Sequence, residues 1–557
     1  MASSTAAPPP AAPGRAKRKF SRLVDDPMLE DYSLRYAPTT FRRWSEYTVA
    51  TAALGGIAYL ADFAIGASIA ITFGFANAFW AILLAATVIF LTSLPISYYC
   101  AKYCIDMDLL TRGAGFGYLG STITSLIYAT FTFIFFALEG AIMAQAFESG
   151  LGIPLWLGYL ISAVAIIPLV IFGMTLLSKF QVWTQPLWLL LMFAPFVAIL
   201  ATDAGSFSDW TSFKGNADSS TLDAISLGVG AGIALSLIAQ IGEQVDYLRF
   251  MPTKTKANSR RWWTAVIAAG PGWVILGAFK QLGGAFLAFY IAADVGLVKA
   301  GEPIEQFIAG FDSFLPSGMV VALAVFFVIL SQVKINVTNA YSGSLSWSNF
   351  FSRVLHWHPG RVVWVFFNVA IALALMEFGV FGFLNTVLGF YSNVAIAWIG
   401  AVVADLIIIK PLLKLSPSYV EFKRANLYPI NPVGFGAMVI ASTFSILAFF
   451  GAFGETLDAY SPFLALGIAM VLAPVIAIAT KGKYYIARAP SIPGSEPGAP
   501  PMTTECTVCQ QEYEAPDMAT CPFHSGAICS LCCTLEKSCH DMCKTKSEGP
   551  VQSVLAG

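Results

Sequence analysis

Long apolar runs separated by short polar stretches fill the chain from about residue 48 to residue 480. Twelve can be bounded, at roughly 48–74, 77–99, 116–147, 153–175, 183–202, 224–246, 262–293, 317–348, 361–382, 386–409, 432–453 and 459–480. Most reach the roughly 20 residues that carry a helix across about 30 Å of hydrocarbon. Four exceed a simple crossing and predict tilted, bent or extended helices. The pattern therefore predicts an all-α multi-span membrane protein with twelve transmembrane helices.

One run breaks the rule. The eighth passes into Ser331-Gln-Val-Lys-Ile-Asn-Val-Thr-Asn-Ala-Tyr-Ser342. Hydrocarbon tolerates little unpaired polarity, so a helix this rich in amides and hydroxyls must face a cavity or a ligand. Asn336 and Asn339 stand three residues apart, and Asn336 is the stronger ligand candidate.

Loop charge gives the topology. One set of loops carries Lys102, Arg112, Lys179, Arg249, Lys254, Lys256, Arg260, Arg261, Arg353, Arg361, Lys410, Lys414, Lys423 and Arg424. The alternate set carries Glu148, Asp203, Asp209, Asp218, Glu302, Glu305, Asp312, Glu455 and Asp458. The positive-inside rule places the basic set, and with it both termini, in the cytoplasm. No cleavable signal peptide is evident, because the first apolar run follows a charged arm.

Composition agrees. Apolar residues make up 57% and charged residues 12%, with a net charge of −1. A soluble domain carries about twice that charge. Near-neutrality excludes nucleic acid as the main partner and leaves the bilayer and a small molecule. The organisation expected is an arm over 1–47 (disordered over 1–14, basic over 15–47), a membrane domain over 48–480, a Pro/Gly/Ser linker over 481–502, a cysteine-rich unit over 503–545 and a tail over 546–557.

Few titratable groups lie inside the spans: Asp62, Glu139, Glu243, Asp246, Lys280, Lys334, Glu377 and Asp405. Each costs a few kcal/mol at mid-bilayer, so each needs an internal salt bridge, a helix-end position or a function. Asp246 is expected to pair with Arg249 one helical turn on, and Asp405 to be structural. Gly55-Gly56 in span one can break the helix and expose carbonyls to a cation, or simply pack helices closely; Asp62 follows within two turns. On span three, Phe135 and Glu139 share one helix face, as a flat heterocycle would require; a lipid-facing aromatic stripe explains the phenylalanines but not the glutamate.

These residues together resemble the purine–cytosine permease family, the nucleobase–cation symporters. The resemblance rests on Asp31-Tyr-Ser-Leu-Arg-Tyr-Ala-Pro38, Gly66 to Gly74, Thr111-Arg-Gly-Ala-Gly-Phe-Gly-Tyr-Leu-Gly-Ser121, Asp246-Tyr-Leu-Arg-Phe250, Asn336-Val-Thr-Asn-Ala-Tyr-Ser342 and Trp398-Ile-Gly-Ala-Val-Val-Ala-Asp405, in that order. It implies a LeuT-type fold: a 5+5 inverted repeat plus two helices, with broken helices one and six lining a midplane site. It further implies substrate contacts at Phe135, Glu139 and Asn336. Asn339 and Asp62 complete the expected substrate site, and Gly55, Gly56, Ser331 and Lys334 the ion-coupling site.

The departures are specific. Relatives usually place tryptophan at Phe135 and an amide at Glu139, and often a second tryptophan near Ile233-Ala-Leu235. Half the aromatic sandwich is therefore missing. Sodium-dependent members carry two adjacent hydroxyls where this chain has Leu330-Ser331, and the Lys334 ammonium can replace sodium's charge. Sodium or a proton remain the candidate coupling ions, and proton coupling, or no coupling, is favoured more than in the family at large.

Eight of ten cysteines lie beyond residue 500. Cys506-x2-Cys509, Cys521-x2-His524, Cys529-x2-Cys532 and Cys539-x3-Cys543 have zinc-chelate spacing, and four pairs make two structural zinc sites. The pairing is either cross-braced or sequential, and Cys533 and His540 are spare thiol and imidazole groups. A unit of about 40 residues needs such staples to fold, and the reducing cytoplasm disfavours disulfides. The run Cys529-Ser-Leu-Cys-Cys-Thr-Leu-Glu-Lys-Ser-Cys-His540 resembles the junction between permease-like domains and bacterial signalling modules, which implies a bacterial inner membrane.

Two functions follow. The first is a secondary transporter of a nucleobase or related heterocycle, working by alternating access. The alternative is a transporter-like sensor that relays ligand binding through the zinc unit to a signalling partner such as a histidine kinase or cyclase. Nothing suggests an enzyme: no nucleophile–base pair or phosphate loop is present.

Overall fold

The computed structural model describes residues 17–26, 29–217, 221–490, 492–494 and 502–544. The expected disordered stretch 1–14, Asp218, part of the linker and the tail 546–557 lie outside the described residues. Among the described residues, nine helical segments are long and apolar enough to cross a membrane. Each of the twelve expected spans falls on a helix or on consecutive helices.

Three interruptions explain why spans and helices do not match one to one. Span one starts as Glu46–Gly55, capped by the Ser45 hydroxyl on the Thr48 N–H, and resumes at Ala61. The helix Ala61–Tyr103 then holds the rest of span one and all of span two, divided at Gly74, whose φ of 78° suits glycine alone. Span six is Ala224–Ala234, a 3-10 turn Leu235–Ala239, then Gln240–Leu248. Spans one and six, the first members of the two five-helix sets, are thus both broken in mid-membrane.

Span seven runs as Ser259–Ala269 and Trp273–Val295. It crosses the second half of span one at the closest approach in the bundle. A Cβ on Gly66 would lie 1.8 Å from the Gln281 carbonyl oxygen, and one on Gly284 would lie 2.1 Å from that of Phe63. Small residues let two backbones meet where lipid supplies no hydrophobic drive between helices. This crossing sets Lys280, the neighbour of Gln281, against the break in span one. Span eight is one long helix, Ser317–Leu355, packed on span three, Thr122–Leu151.

The cysteine-rich unit has two antiparallel hairpins. Strands β1 (Thr503–Glu505) and β2 (Glu512–Glu514) pair with Thr504 opposite Tyr513. Strands β3 (Met518–Cys521) and β4 (Gly526–Cys529) pair with Ala519 opposite Ile528, and a short helix Ser530–Leu535 follows.

The unit does not hang free on its linker, as the Pro/Gly-rich sequence suggests. Arg18 donates to the Cys532 carbonyl at 2.9 Å, and Tyr36 and Thr39 donate to Glu514. His356, just after span eight, meets the Thr534 carbonyl at 2.9 Å. Lys423 and Arg424, beyond span ten, reach the carbonyls of Pro516, Cys533 and Glu536. Backbone carbonyls and the carboxylates of Glu514, Glu536 and Asp541 on the unit meet basic and hydroxyl groups of the N-terminal arm and the membrane domain.

Candidate functional site

The break in span one leaves unpaired backbone groups at both of its edges. On the carbonyl side, the Lys280 ammonium donates to Ile57 O at 2.6 Å and Tyr59 O at 2.9 Å. It lies 2.9 Å from Asp62 Oδ2 and 3.6 Å from the centre of the Tyr59 ring. It thus makes two hydrogen bonds and one ion pair, and the side chain is fully buried. On the amide side, Glu139 accepts from Leu60 N at 3.2 Å and from Ala61 N at 3.2 Å and 3.3 Å. A carboxylate at a helix start and an ammonium at a helix end both complement the helix dipole. The break is closed by the protein's own charges.

Gly55 and Gly56 serve packing. A Cβ on Gly55 would lie 2.5 Å from Gln181 Oε1, and one on Gly56 would lie 2.9 Å from Thr338 Oγ1. The expectation put cation-binding carbonyls at Gly55-Gly56; in the structure Lys280 donates to the carbonyls of Ile57 and Tyr59, just beyond them. Lys334 ties span eight to span five instead, donating to Gln181 Oε1 at 2.8 Å and Thr184 Oγ1 at 2.9 Å. Ser331 accepts from Trp188 Nε1 at 2.9 Å. Asp62 also accepts from Gln281 Nε2 at 2.8 Å.

Asn336 abuts span three, donating to Phe136 O at 3.3 Å, and accepts from Asn339 Nδ2 at 3.0 Å. A Cβ on Gly140, next to Glu139, would lie 3.9 Å from Asn336 Nδ2, so the two spans meet at the depth of Glu139. Phe135 packs on Phe131, with ring centres 4.5 Å apart. Phe135, Glu139, Asn336 and Asn339 therefore gather along one interhelical seam, while Asp62 joins Glu139 only through the break.

The break in span six is treated differently. Its residues are Leu-Ser-Leu-Ile-Ala, and Glu243 stands one turn on. Gln240 donates to Glu243 Oε2 at 2.7 Å, but Oε1 is buried without a hydrogen bond. Glu243 lies within electrostatic reach of Glu139 and of Tyr59. Asn339 Oδ1 is also buried and unbonded, and the Gln332 amide stands beside Glu139 without a well-formed hydrogen bond. Buried acceptors left open are uncommon and mark places where a ligand or water belongs. Sequence reading marked Glu243 and Lys280 only as titratable groups and passed over Tyr59 and Gln332. A lysine among Gly277, Gly283 and Gly284 is the signal that was available for Lys280.

One local expectation changes. Arg249 does not pair with Asp246; it bonds Asp106 Oδ2 at 2.9 Å, and Asp246 accepts from Tyr128 at 2.8 Å. Asp405 pairs with Lys410 at 3.1 Å and accepts from Tyr485 at 2.6 Å.

In the cysteine-rich unit, the sulfurs of Cys506, Cys509, Cys529 and Cys532 all lie within 4.8 Å of one another and are buried. A tetrahedral zinc with bonds of about 2.3 Å needs sulfurs about 3.8 Å apart, so this quartet can hold a metal. Cys529 N points at Cys506 Sγ (3.3 Å), and Cys532 N at Cys529 Sγ (3.4 Å). Hydrogen bonds from Cys509, Cys529 and Cys532 hold the Cys506 thiol well below its usual range, which favours the thiolate. Of the two open pairings, pairs one and three come together, as a cross-brace requires. His524 Nε2 lies 3.0 Å from Glu536 Oε2, and His524 is not in the four-sulfur cluster.

A family profile described as permease for cytosine/purines, uracil, thiamine, allantoin matches residues 36–470. Among solved structures, Mhp1, a nucleobase-cation-symport-1 family transporter in a closed conformation with bromovinylhydantoin bound, superposes with a TM-score of 0.60 at 17% identity, covering 82% of this chain and all of that one. Inward-facing Mhp1 gives 0.58 at 17%, covering 84% and 95%. A substrate-bound, outward-open sodium-coupled sialic acid symporter gives 0.57 at 13%, covering 82% and 93%. These likenesses establish the LeuT-type fold. No curated protein sequence matches the chain.

Proposed function

The chain belongs to the family of permeases for cytosine and purines, uracil, thiamine and allantoin, and from that membership we propose that it carries a flat heterocycle whose N–H donors meet Glu243 and Asn339. It is a membrane permease working by alternating access, and no enzyme. The sensing alternative draws no support from the comparisons, and the family match ends before the cysteine-rich unit.

One observation carries the substrate reading. Glu243 Oε1 on broken span six and Asn339 Oδ1 on span eight are both buried acceptors without a hydrogen bond. A ligand with ring N–H groups satisfies both. Phe135 supplies the single aromatic face, and Gln332 and Asn336 lie on the same span as Asn339. The missing second aromatic favours a ligand held more by hydrogen bonds than by stacking. Mhp1 was solved with bromovinylhydantoin.

Coupling follows from the other break. Lys280 fills the carbonyl positions where a mobile cation would bind in span one. Glu139 and Glu243 stand within electrostatic reach of each other. Two neighbouring carboxylates in a dry interior repel when both are ionised, so a proton is the cation they take up at least cost. We assign proton coupling rather than sodium coupling. Loop charge supports cytoplasmic termini, and the Cys506 quartet supports one structural zinc.

Uptake of radiolabelled purines, pyrimidines, hydantoins and thiamine into proteoliposomes tests this reading. The expected result is uptake of at least one heterocycle, driven by an inward proton gradient and unchanged when potassium replaces sodium. Strict dependence on sodium would overturn the coupling assignment. Failure of every heterocycle in the panel would overturn the substrate class.

A further inference from the structure

We infer that Cys521, Cys533, Cys539 and Cys543 form a second, all-thiolate zinc site, with Cys533 in the position that sequence spacing gives to His524. This site stands apart from the transport reading, since metal content is measured without substrate.

The four thiols line one small cavity of about 10 Å³, together with Phe523, Glu536 and Met542. That volume is on the order of a single water-sized atom. Cys533 lies within electrostatic range of Cys521, Cys539 and Cys543, and Cys521 within range of the latter two. His524 is not among the lining residues, whereas Cys533 is. Thiolates in a closed, four-ligand set are the ordinary surroundings of structural zinc, and binding releases the thiol protons.

The backbone is shaped to bring these thiols together. His540 and Asp541, between Cys539 and Cys543, have φ of 44° and 53°. Two successive non-glycine residues in the left-handed region are costly and persist where the surroundings hold them. Asp541 is held by Arg424 at 2.9 Å and by Lys544 at 3.1 Å. Arg424 also donates to the carbonyls of Cys533 at 2.8 Å and Glu536 at 2.7 Å. One guanidinium from the membrane domain thus braces the segments that bear three of the four thiols. This quartet is wider than the first: among the described residues, only the Cys506 quartet has all ligand atoms within 4.8 Å. The four thiols share a cavity but must draw together for a metal to bind all of them.

The cross-brace order then differs from simple pair counting. The first zinc joins pairs one and three. The second takes one thiol each from Cys521, Cys533, Cys539 and Cys543, so the adjacent Cys532 and Cys533 serve different ions.

Metal content of the full-length protein, purified in detergent and desalted, decides the matter. The expected zinc-to-chain ratio is two in the wild type and two in His524→Ala. It falls to one in Cys533→Ser, or to none if that change also releases the first ion. The inference is overturned by a wild-type ratio of one, by a ratio of one in His524→Ala, or by a ratio of two in Cys533→Ser. X-ray absorption at the zinc edge gives a second reading: a sulfur-only first shell supports the site, and an imidazole signature in the wild type sinks it.

Discussion

Spans one and six are broken at matching places in the two five-helix sets, yet the two breaks are finished in opposite ways. In span one, Lys280 takes the free carbonyls and Glu139 takes the free amides. In span six, the turn is aliphatic and the carboxylate that follows keeps an open oxygen. A saturated break is a fixed part of the frame. An unsaturated one has binding capacity left to offer. On this contrast in backbone pairing we propose a framing role for the first break and a ligand-facing role for the second, although Asp62 Oδ2 and Tyr59 Oη beside the first break also lack hydrogen bonds.

The largest effect expected is at Lys280. Lys280→Met leaves Asp62 buried and uncompensated, and removing one partner of such a pair costs about 3–5 kcal/mol. Thermal unfolding of the detergent-solubilised protein should show a large loss, partly recovered when Asp62→Asn is added. Unchanged stability in the single variant would mean that the break is not held by this ion pair.

Glu139→Gln comes next. The amide oxygen still accepts, but one charge-assisted acceptor is lost, worth about 1–3 kcal/mol. Its effect should fall mainly on stability. If unfolding is unmoved while substrate choice changes by orders of magnitude, Glu139 belongs with the ligand and the two breaks are not opposites.

Glu243→Gln should be the mildest for the fold, within about 1 kcal/mol, because Gln240 can rebond to an amide oxygen. Transport is where it should appear: a loss of about tenfold in uptake, equal to about 1.4 kcal/mol, together with a weaker response to the proton gradient. Equal losses of stability and uptake would erase the contrast between the breaks.

How much of this was legible depended on how local the signal was. Twelve apolar runs gave the spans, since length and hydrophobicity act residue by residue. The break in span one was signalled by Gly55-Gly56, although those glycines pack against Gln181 and Thr338 and the freed carbonyls lie just beyond. Nothing in Leu235-Ser-Leu-Ile-Ala239 announces a break, because no residue there disfavours a helix strongly. Lys280 meets its carbonyl partners across 223 and 221 residues of sequence, a pairing that only helix packing creates. The same reason undid the Asp246–Arg249 expectation: a neighbour one turn away was available, but Asp106 offered a better partner. In the cysteine-rich unit, spacing picked out the four cysteines that the structure gathers in the first quartet. It could not say which pairs join, nor that His524 would turn to Glu536.

The seating of the cysteine-rich unit has a mechanical side. It is bolted to the arm before span one through Arg18, Tyr36 and Thr39, to the end of span eight through His356, and to the loop after span ten through Arg424. A rigid plate fixed at three points admits no relative travel among them. Either those three ends move as one block when the permease cycles, or the plate must shed a bolt at every turnover. In the first case the plate stiffens the moving part; in the second it is a load that the gradient must lift. Turnover measured with and without residues 489–557 distinguishes a stiffener from a load by the sign of the change.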